Sequence, residues 1–418
     1  MPGDAPLEIR LVHCADWHAG ARCWGSFGKG FDRSGEIRAG LGWLVELCRE
    51  FKPHLVLLAG DLYDSPQAAS HPDPSHLVSS AIDAMLAQAQ AVVVSRGNHD
   101  PRYLSYHAKL LARGGVHVVA PTNRATSRAI TFQVEGVPVR VCALPHLDSL
   151  SARLFVSARE GTSPEELSLL VRRRLKGELE GAFVGFEGAR VLVGHLLVEG
   201  VVPCSSALLA REVALSPADL DGLGLSYVAL GHVHRQMRLP SFEAPAFYSG
   251  SLVRLDFGEE GAGVGAVLVK LVPRGPSFVA EAELASNPHA KALLTLRWDG
   301  EGGEEGLRRA LLSQLEGVRP PGYARLLSKV QLDRRKEEMA REVLSGRGFE
   351  LVYSRGEGAL QGLASEGRRR VDWRTSSVEE LFDEFVSAGE FDEAERMKEH
   401  FRRLLAEVRD LPEGGLAP

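Results

Sequence analysis

Cysteine is scarce: five in 418 residues (Cys14, Cys23, Cys48, Cys142, Cys204), an odd number, widely spread and without a C-x-x-C pair. That spacing excludes a disulfide framework and a zinc ribbon, and it points to a reducing compartment. Long apolar runs are missing too. The most apolar late stretch, residues 264–272, contains Lys270 and is far too short to span a bilayer. The opening MPGDAPLEIR has no apolar targeting core and reads straight into a strand. A cytoplasmic protein without a membrane partner is therefore expected. Nor is there a basic excess. Against 49 Lys+Arg stand 55 Asp+Glu, a formal charge of −6, which excludes a wholesale basic nucleic-acid coat but leaves room for a local groove. What remains is ordinary: 44% hydrophobic and 25% charged residues, in a length that suits two or three domains.

Up to about residue 285, short apolar runs at 9–14, 54–59 (HLVLLA) and 91–95 (AVVVS) alternate with helical spacing at 37–51 and 77–87. Such alternation predicts parallel strands buried on both faces. Further strands are expected at 129–134, 137–143, 191–194, 227–231 and 265–272. No long helices are read between these later strands, so part of the sheet set should be antiparallel, and an α/β sandwich fits better than a doubly wound sheet. Ser286-Asn287-Pro288 marks a boundary. Beyond it, strands at 293–298, 324–332 and 349–353 alternate with helices at 304–315 and 337–344, a small α+β module. A Gly- and Arg-rich stretch follows at 356–374, with Arg368-Arg369-Arg370 and Arg374. Ser377 and Glu380 form a capping box for a helix at 378–387, and a last helix runs over 391–409.

Five short motifs fall just after predicted strands. In order they are Asp16-Trp17-His18, Gly60-Asp61-Leu62-Tyr63-Asp64, Gly97-Asn98-His99-Asp100, Gly194-His195 and Gly231-His232-Val233-His234. In an α/β sheet the carboxyl ends of the strands form the crevice where ligands sit, so all five can converge. Their donors are carboxylate, imidazole and amide without thiolate. That set suits manganese, iron or zinc at a catalytic site rather than a structural zinc knot. Singly, most have a plain reading: Asp16 and His18 as a surface pair, Gly97-Asn98 as a turn, His195 as a satisfied core histidine. Asp61 is more pointed, because a carboxylate closing an apolar strand is costly unless paired or bound. Gly231-His232-x-His234 is the most specific. Five such motifs in order, each at a strand end, are not a coincidence.

Together these motifs resemble the fingerprint of the calcineurin-like metallophosphoesterases, D-x-H, G-D-x-x-D, G-N-H-[DE], G-H and G-H-x-H. LVHCADWHAG, AGDLYDSPQA, VVVSRGNHDP, ALPHL and YSGSLVRLDFGEE are similar to the bacterial SbcD-type DNA repair nucleases and their archaeal and eukaryotic recombination-nuclease relatives. The resemblance implies a sandwich of two mixed β-sheets flanked by helices over residues 1–285. It implies a small α+β DNA-capping domain over 286–365, then an Arg-rich linker and helical ATPase-binding tail over 366–418. It implies two divalent ions, Mn²⁺ first among them. One would be held by Asp16, His18, Asp61 and His234, the other by Asp61, Asn98, His195 and His232, with Asp61 bridging. Such a pair, about 3.5–4 Å apart, clamps a phosphodiester and activates a water. His99 would be no ligand but would protonate the leaving oxygen. Asp64 matches the Asp that orients this histidine in phosphatase relatives, where archaeal and eukaryotic nucleases carry a His. Its other reading is a helix cap beside Ser65-Pro66.

The same resemblance implies a nuclease acting 3′ to 5′ on duplex DNA ends and as an endonuclease on single strands, in double-strand break repair. Its partner would be an SbcC-like coiled-coil ATPase, and a homodimer would build a two-fold DNA surface. Leu381, Phe382 and Phe385, then Met397, Phe401, Leu404, Leu405 and Val408, give the terminal helices an apolar face. That face fits either the ATPase or the protein's own small domain. Arg368-Arg369-Arg370 and Arg374 read as phosphate contacts or as a charged linker, and Arg172-Arg173-Arg174 as a solvated helix face. His13, His54, His107, His117 and His146 read as structural or exposed, with His146 alternatively lining the cleft. Trp17 and Trp24 support the metal loop or stack on a base. Two other functions remain open: a phosphodiesterase for small phosphoesters, and a catalytically silent repair scaffold.

Overall fold

In the strand Ile9–Cys14, Ile9 and Leu11 face one core while Val12 and Cys14 face another. The strand Leu55–Leu58 divides the same way, Leu55 and Leu57 against Val56 and Leu58, and so does Ala91–Ser95. Strands apolar on both faces must sit in the middle of three layers, and that is where the computed structural model has them. It describes residues 7–25, 30–102, 104, 114–122, 126–159, 161–201, 214–356, 386 and 394–409.

Two six-stranded sheets stack face to face. The first runs Ser277–Ser286, Gly265–Arg274, Ile9–Cys14, Leu55–Leu58, Ala91–Ser95, Val116–Val119. Its last four strands are parallel and its first two antiparallel. The second runs Gln236–Arg238, Ala246–Ser249, Tyr227–Gly231, Ala189–His195, Val137–Leu144, Arg128–Val134, parallel in its centre and antiparallel at both edges. Between them lie Leu11, Leu57 and Val93 from one sheet and Val141, Val193 and Ala229 from the other. Fully burying one such side chain stabilises the fold by about 2 kcal/mol.

Helices cover the outer faces. Ser34–Phe51 buries Ile37, Leu41, Leu44 and Cys48, and Pro72–Leu86 buries Val78, Ala81, Ile82 and Met85. On the second sheet lies Pro164–Phe183, which buries Leu167, Val171, Leu175, Leu179 and Phe183 at near four-residue spacing. This 20-residue helix corrects the expectation that no long helix separates the later strands. It crosses from Val137–Leu144 to Ala189–His195, and such a crossover is what makes those two strands parallel. Its charged Arg172-Arg173-Arg174 run lies on the outer side and obscures the apolar stripe in the sequence.

His13 stitches the sheets together. Its side chain is fully buried, with Nε2 3.2 Å from the Leu230 carbonyl and Nδ1 3.0 Å from the Tyr227 hydroxyl. A carbonyl only accepts, so Nε2 carries the proton and Nδ1 accepts from Tyr227. Burial holds the ring neutral, with its pKa lowered to about 3.

After Ser286, the strands Ala292–Trp298 and Gly322–Ser328 pair in parallel, and Phe349–Gly356 completes a three-stranded sheet. The helices Gly303–Gln314 and Arg334–Ser345 close a separate core of Leu296, Trp298, Leu307, Leu311, Leu326 and Leu344. The described residues up to Arg355, apart from 329–331, form one compact unit. A second contains 329–331 and, further on, the helix Ala394–Arg409. Ser377, Glu380, Leu381, Phe382, Phe385 and the arginines 368–370 and 374 lie outside the described residues, as do Cys204 and His107. No described helix is long and apolar enough to cross a membrane.

Candidate metal centre

Each predicted motif leaves the carboxyl end of its strand, and in three of the five the backbone there is strained. Asp16, His18, Asp61 and His232 have φ of 52°, 47°, 53° and 93°. Left-handed conformations in non-glycine residues cost on the order of 1–3 kcal/mol each and cluster where function requires them. The first two loops are zipped together: Asp16 N–H donates to the Gly60 carbonyl (2.9 Å), His18 N–H to Asp61 (3.1 Å) and Ala19 N–H to Leu62 (3.0 Å). Gly97 must lack a side chain, because a Cβ there would lie 2.0 Å from Asp61 Oδ1.

Asp100 locks the second loop to the third. Its Oδ2 accepts from the N–H groups of Asp61 and Gly97 (both 2.9 Å), and its Oδ1 from Leu62 (2.9 Å) and Tyr63 (3.2 Å). Burial and the neighbouring Asp61 carboxylate push its pKa up to about 6, against the pull of those donors.

The predicted ligands converge in two overlapping pockets. In the first, His18 Nε2 lies 3.2 Å from His234 Nε2 and 3.8 Å from Asp61 Oδ2, while His234 Nε2 lies 3.9 Å from Asp16 Oδ1. In the second, His195 Nε2 lies 3.3 Å from Asp61 Oδ2, 2.9 Å from Asn98 Oδ1 and 3.2 Å from His232 Nδ1. His232 Nδ1 is 3.2 Å from the same Asn98 oxygen. Asp61 Oδ2 thus faces both pockets.

This donor set fits divalent cations. Asp16 and Asp61 are almost wholly buried, yet their ion-pair partners among the described residues are histidines alone, with no Lys or Arg. Two imidazoles have one nitrogen already committed. His195 Nδ1 donates to the Ala59 carbonyl (2.7 Å) and His234 Nδ1 faces the Glu259 carboxylate (2.8 Å), so each turns its Nε2 inward. Burial lowers the pKa of both, but Asp61 and Asp16 around His195, and Glu259 and Asp16 around His234, raise them to about 9. Asp61 is driven well below the usual carboxylate range: burial raises it, and His195, His18 and His99 overcome that. Asp16, His18 and His234 form one group spaced to hold an ion, and Asp16, Asp61 and His195 another.

His99 stands beside these pockets, partly exposed. Its main-chain N–H donates to Asp61 Oδ1 (2.8 Å) and its Nδ1 donates to the Asp64 carbonyl (2.7 Å). The contact to His99 thus comes from the main chain of Asp64, whose carboxylate lies 3.4 Å from His18 Nδ1. The cap of the next helix is Ser65, which accepts from Ala68 N–H. His146 is buried against the second pocket, its ring centroid 5.8 Å from His232 and 6.0 Å from His195. Trp17 is fully buried behind the first loop, and Trp24 packs among Phe31, Phe257 and Tyr323. His54 accepts from Arg10 N–H and His117 packs on Phe132, both as structural residues. Arg172 bonds Asp219, Glu199 and Ser216, and Arg174 covers Phe155.

Two residues of the site had no role assigned from sequence. Asp100 was visible as the last residue of its motif, but its partners are main-chain groups. Glu259 was visible only as an acid in the DFGEE run.

A model of the family described as calcineurin-like phosphoesterase matches residues 9–236, the stretch that carries all seven predicted ligands. An SbcCD nuclease subunit of Rhodobacter capsulatus is 28% identical over 282 residues, covering 63% of this chain and 66% of that protein. The corresponding SbcCD nuclease subunit of Escherichia coli K12 is 24% identical, covering 93% of this chain and 96% of its own length. DNA double-strand break repair protein Mre11 of Aeropyrum pernix is 25% identical over 72% of this chain and 68% of that protein.

Proposed function

Because the chain belongs to the calcineurin-like phosphoesterase family and is thus a phosphoester hydrolase, we propose that it is a two-metal DNA nuclease of double-strand break repair. In this reading it degrades duplex ends 3′ to 5′ and cuts single strands internally, with Mn²⁺ as its ion. The observation that carries the reading is the sharing of Asp61 between two acceptor-rich pockets with His99 alongside. Asp16, His18, Asp61 and His234 would hold one ion, and Asp61, Asn98, His195 and His232 the other. Two divalent ions there supply charge neutralisation for a phosphodiester and an activated water.

The chain's own residues do the rest. Asp100 and the zipped loops fix the main chain that carries the ligand carboxylates, and the N–H groups of His99 and His232 hold the Asp61 and Asp16 carboxylates themselves. The Asp64 carbonyl commits His99 Nδ1 as a donor, so Nε2 is left to meet the substrate, and in the imidazolium form, where both nitrogens carry a proton, Nε2 gives its own to the leaving oxygen. The likeness to the E. coli nuclease spans nearly the whole chain, small module included, which supports DNA over a small phosphoester. In this reading residues 286–365 cap the DNA, and residues 366–418 present helices to an SbcC-like coiled-coil ATPase.

The test is Mn²⁺-dependent release of nucleotides from end-labelled linear duplex, with His99→Ala in parallel. Release lost in the variant, with metal uptake retained, is the expected outcome. Turnover of small phosphodiesters without release from any DNA would replace the nuclease by a phosphodiesterase.

A further inference from the structure

The segment 254–260 belongs to neither metal pocket by sequence motif, yet it touches the first pocket and the small module at once. Asp256 caps a single 3-10 turn, Phe257–Glu259, by accepting from Gly258 N–H (2.8 Å). Glu259 is 3% exposed, and both its oxygens are engaged: Oε1 faces His234 Nδ1 at 2.8 Å, and Oε2 accepts from Leu255 N–H at 2.8 Å. The second bond ties the carboxylate to its own chain, so it cannot swing away from the histidine without breaking the turn. The next residue points the other way. Glu260 accepts from the N–H of Thr295 (2.9 Å) and from its hydroxyl, in the strand Ala292–Trp298 of the small module. Phe257, 4% exposed, is buried with Leu293, Tyr323 and Val352 of that module, and the Arg325 guanidinium lies 4.9 Å from its ring. Three side chains around Gly258 thus join a metal-binding imidazole to the edge of a different core.

A carboxylate on the far nitrogen of a ligating histidine fixes its tautomer and ring orientation and raises its basicity. Glu259 meets that geometry, and among the described residues no other carboxylate lies within ion-pair distance of His234 Nδ1. We propose that Glu259 is the positioning residue of the His234 metal pocket, and that the small α+β module sets its place through Glu260 and Phe257. Loading of one ion of the pair then depends on the seating of a module that supplies no ligand. The inference rests on the two-metal reading above and is independent of the substrate.

The test is Mn²⁺ titration of the full-length, metal-stripped protein by calorimetry, with electron paramagnetic resonance of the bound ions and apo-protein melting as a control. Glu259→Gln keeps the size but turns an amide N–H₂ toward either Leu255 N–H or His234. It should weaken one of the two sites by about 10–100-fold and leave the other unchanged. At two equivalents the signal of an exchange-coupled pair should give way to that of an isolated ion. The double variant Glu260→Ala/Phe257→Leu, which spares Glu259, should weaken the same site several-fold. Equal binding by Glu259→Gln and wild type overturns the inference, as does parallel loss at both sites with a lowered apo melting temperature. Wild-type binding by the double variant overturns the part given to the module. A wild-type chain that takes up fewer than two ions overturns the two-metal reading, and this inference with it.

Discussion

Gly97 and Asp100 show how little room the metal centre leaves at the scale of one residue. A methyl at Gly97 would meet Asp61 Oδ1 at 2.0 Å, and both groups sit on main chain already tied by Asp100. Gly97→Ala is therefore expected to abolish Mn²⁺ uptake at both sites, because the Asp61 carboxylate that faces both pockets must move. The distant strands should hold, so the far-UV circular dichroism should keep its native form, and a calorimetric titration beside that spectrum checks both halves. Asp100→Asn replaces one oxygen by an N–H₂ that must face two N–H donors. Leaving buried donors without acceptors costs about 1–3 kcal/mol each. An unfolding free energy lowered by about 2–6 kcal/mol for the two donors, measured by equilibrium denaturant unfolding, together with weakened metal binding, is the expected result.

Elements answer differently, since a helix spreads its contribution over many contacts. Pro164–Phe183 starts on Ser163, whose hydroxyl accepts from Glu166 N–H, and holds the second sheet through Leu175 and Leu179. Ser163→Ala should cost about 1 kcal/mol, the usual loss of a cap. Leu179→Ala, at a fully buried position, should cost about 2–5 kcal/mol through the cavity it leaves. Equilibrium urea unfolding measures both. Metal affinity should be unchanged in each, because this helix packs on the face of the sheet away from the inter-sheet core and donates no ligand. A change in metal affinity in Leu179→Ala would show that the outer layer does more than support.

For the whole molecule, the join between the sheets makes stability depend on pH. His13 is neutral in the folded chain with its pKa lowered to about 3, whereas in the unfolded chain it takes a proton near its ordinary value of about 6.5. Its contribution is therefore complete above about pH 6.5 and is lost as the pH falls toward 3. Within that window one proton is taken up on unfolding, which makes the slope about 1.4 kcal/mol per pH unit. Unfolding of metal-free protein at pH 5.5, 5 and 4.5, inside that window, should show that slope beyond the corresponding slope of His13→Gln, which has no titrating group there. Identical slopes would mean that His13 is not the group that couples the sandwich to pH.

The sequence by itself determined the two-faced apolar strands, the order of five candidate-ligand motifs at their carboxyl ends and the strands and helices of the small module. Burial on both faces leaves a continuous apolar run, and metal chemistry demands particular side chains, so both are written in residue types. Edge strands were less clear. Ser277–Ser286 pairs along its whole length with Gly265–Arg274, but its exposed Glu281 and Glu283 interrupt the apolar pattern, and no strand was expected there. Only the tertiary structure decided what holds the ligands in place. That His99 meets the carbonyl of Asp64, that Asp100 gathers four N–H groups and that the Pro164–Phe183 helix makes two strands parallel are settled by chain closure. Every residue but proline carries the same N–H and every residue the same C=O, so a bond to the main chain leaves no mark on the sequence. Glu259 and His234 stand 25 positions apart, and neither residue type announces the other. Their meeting depends on how the turn after the second sheet folds back over the first pocket.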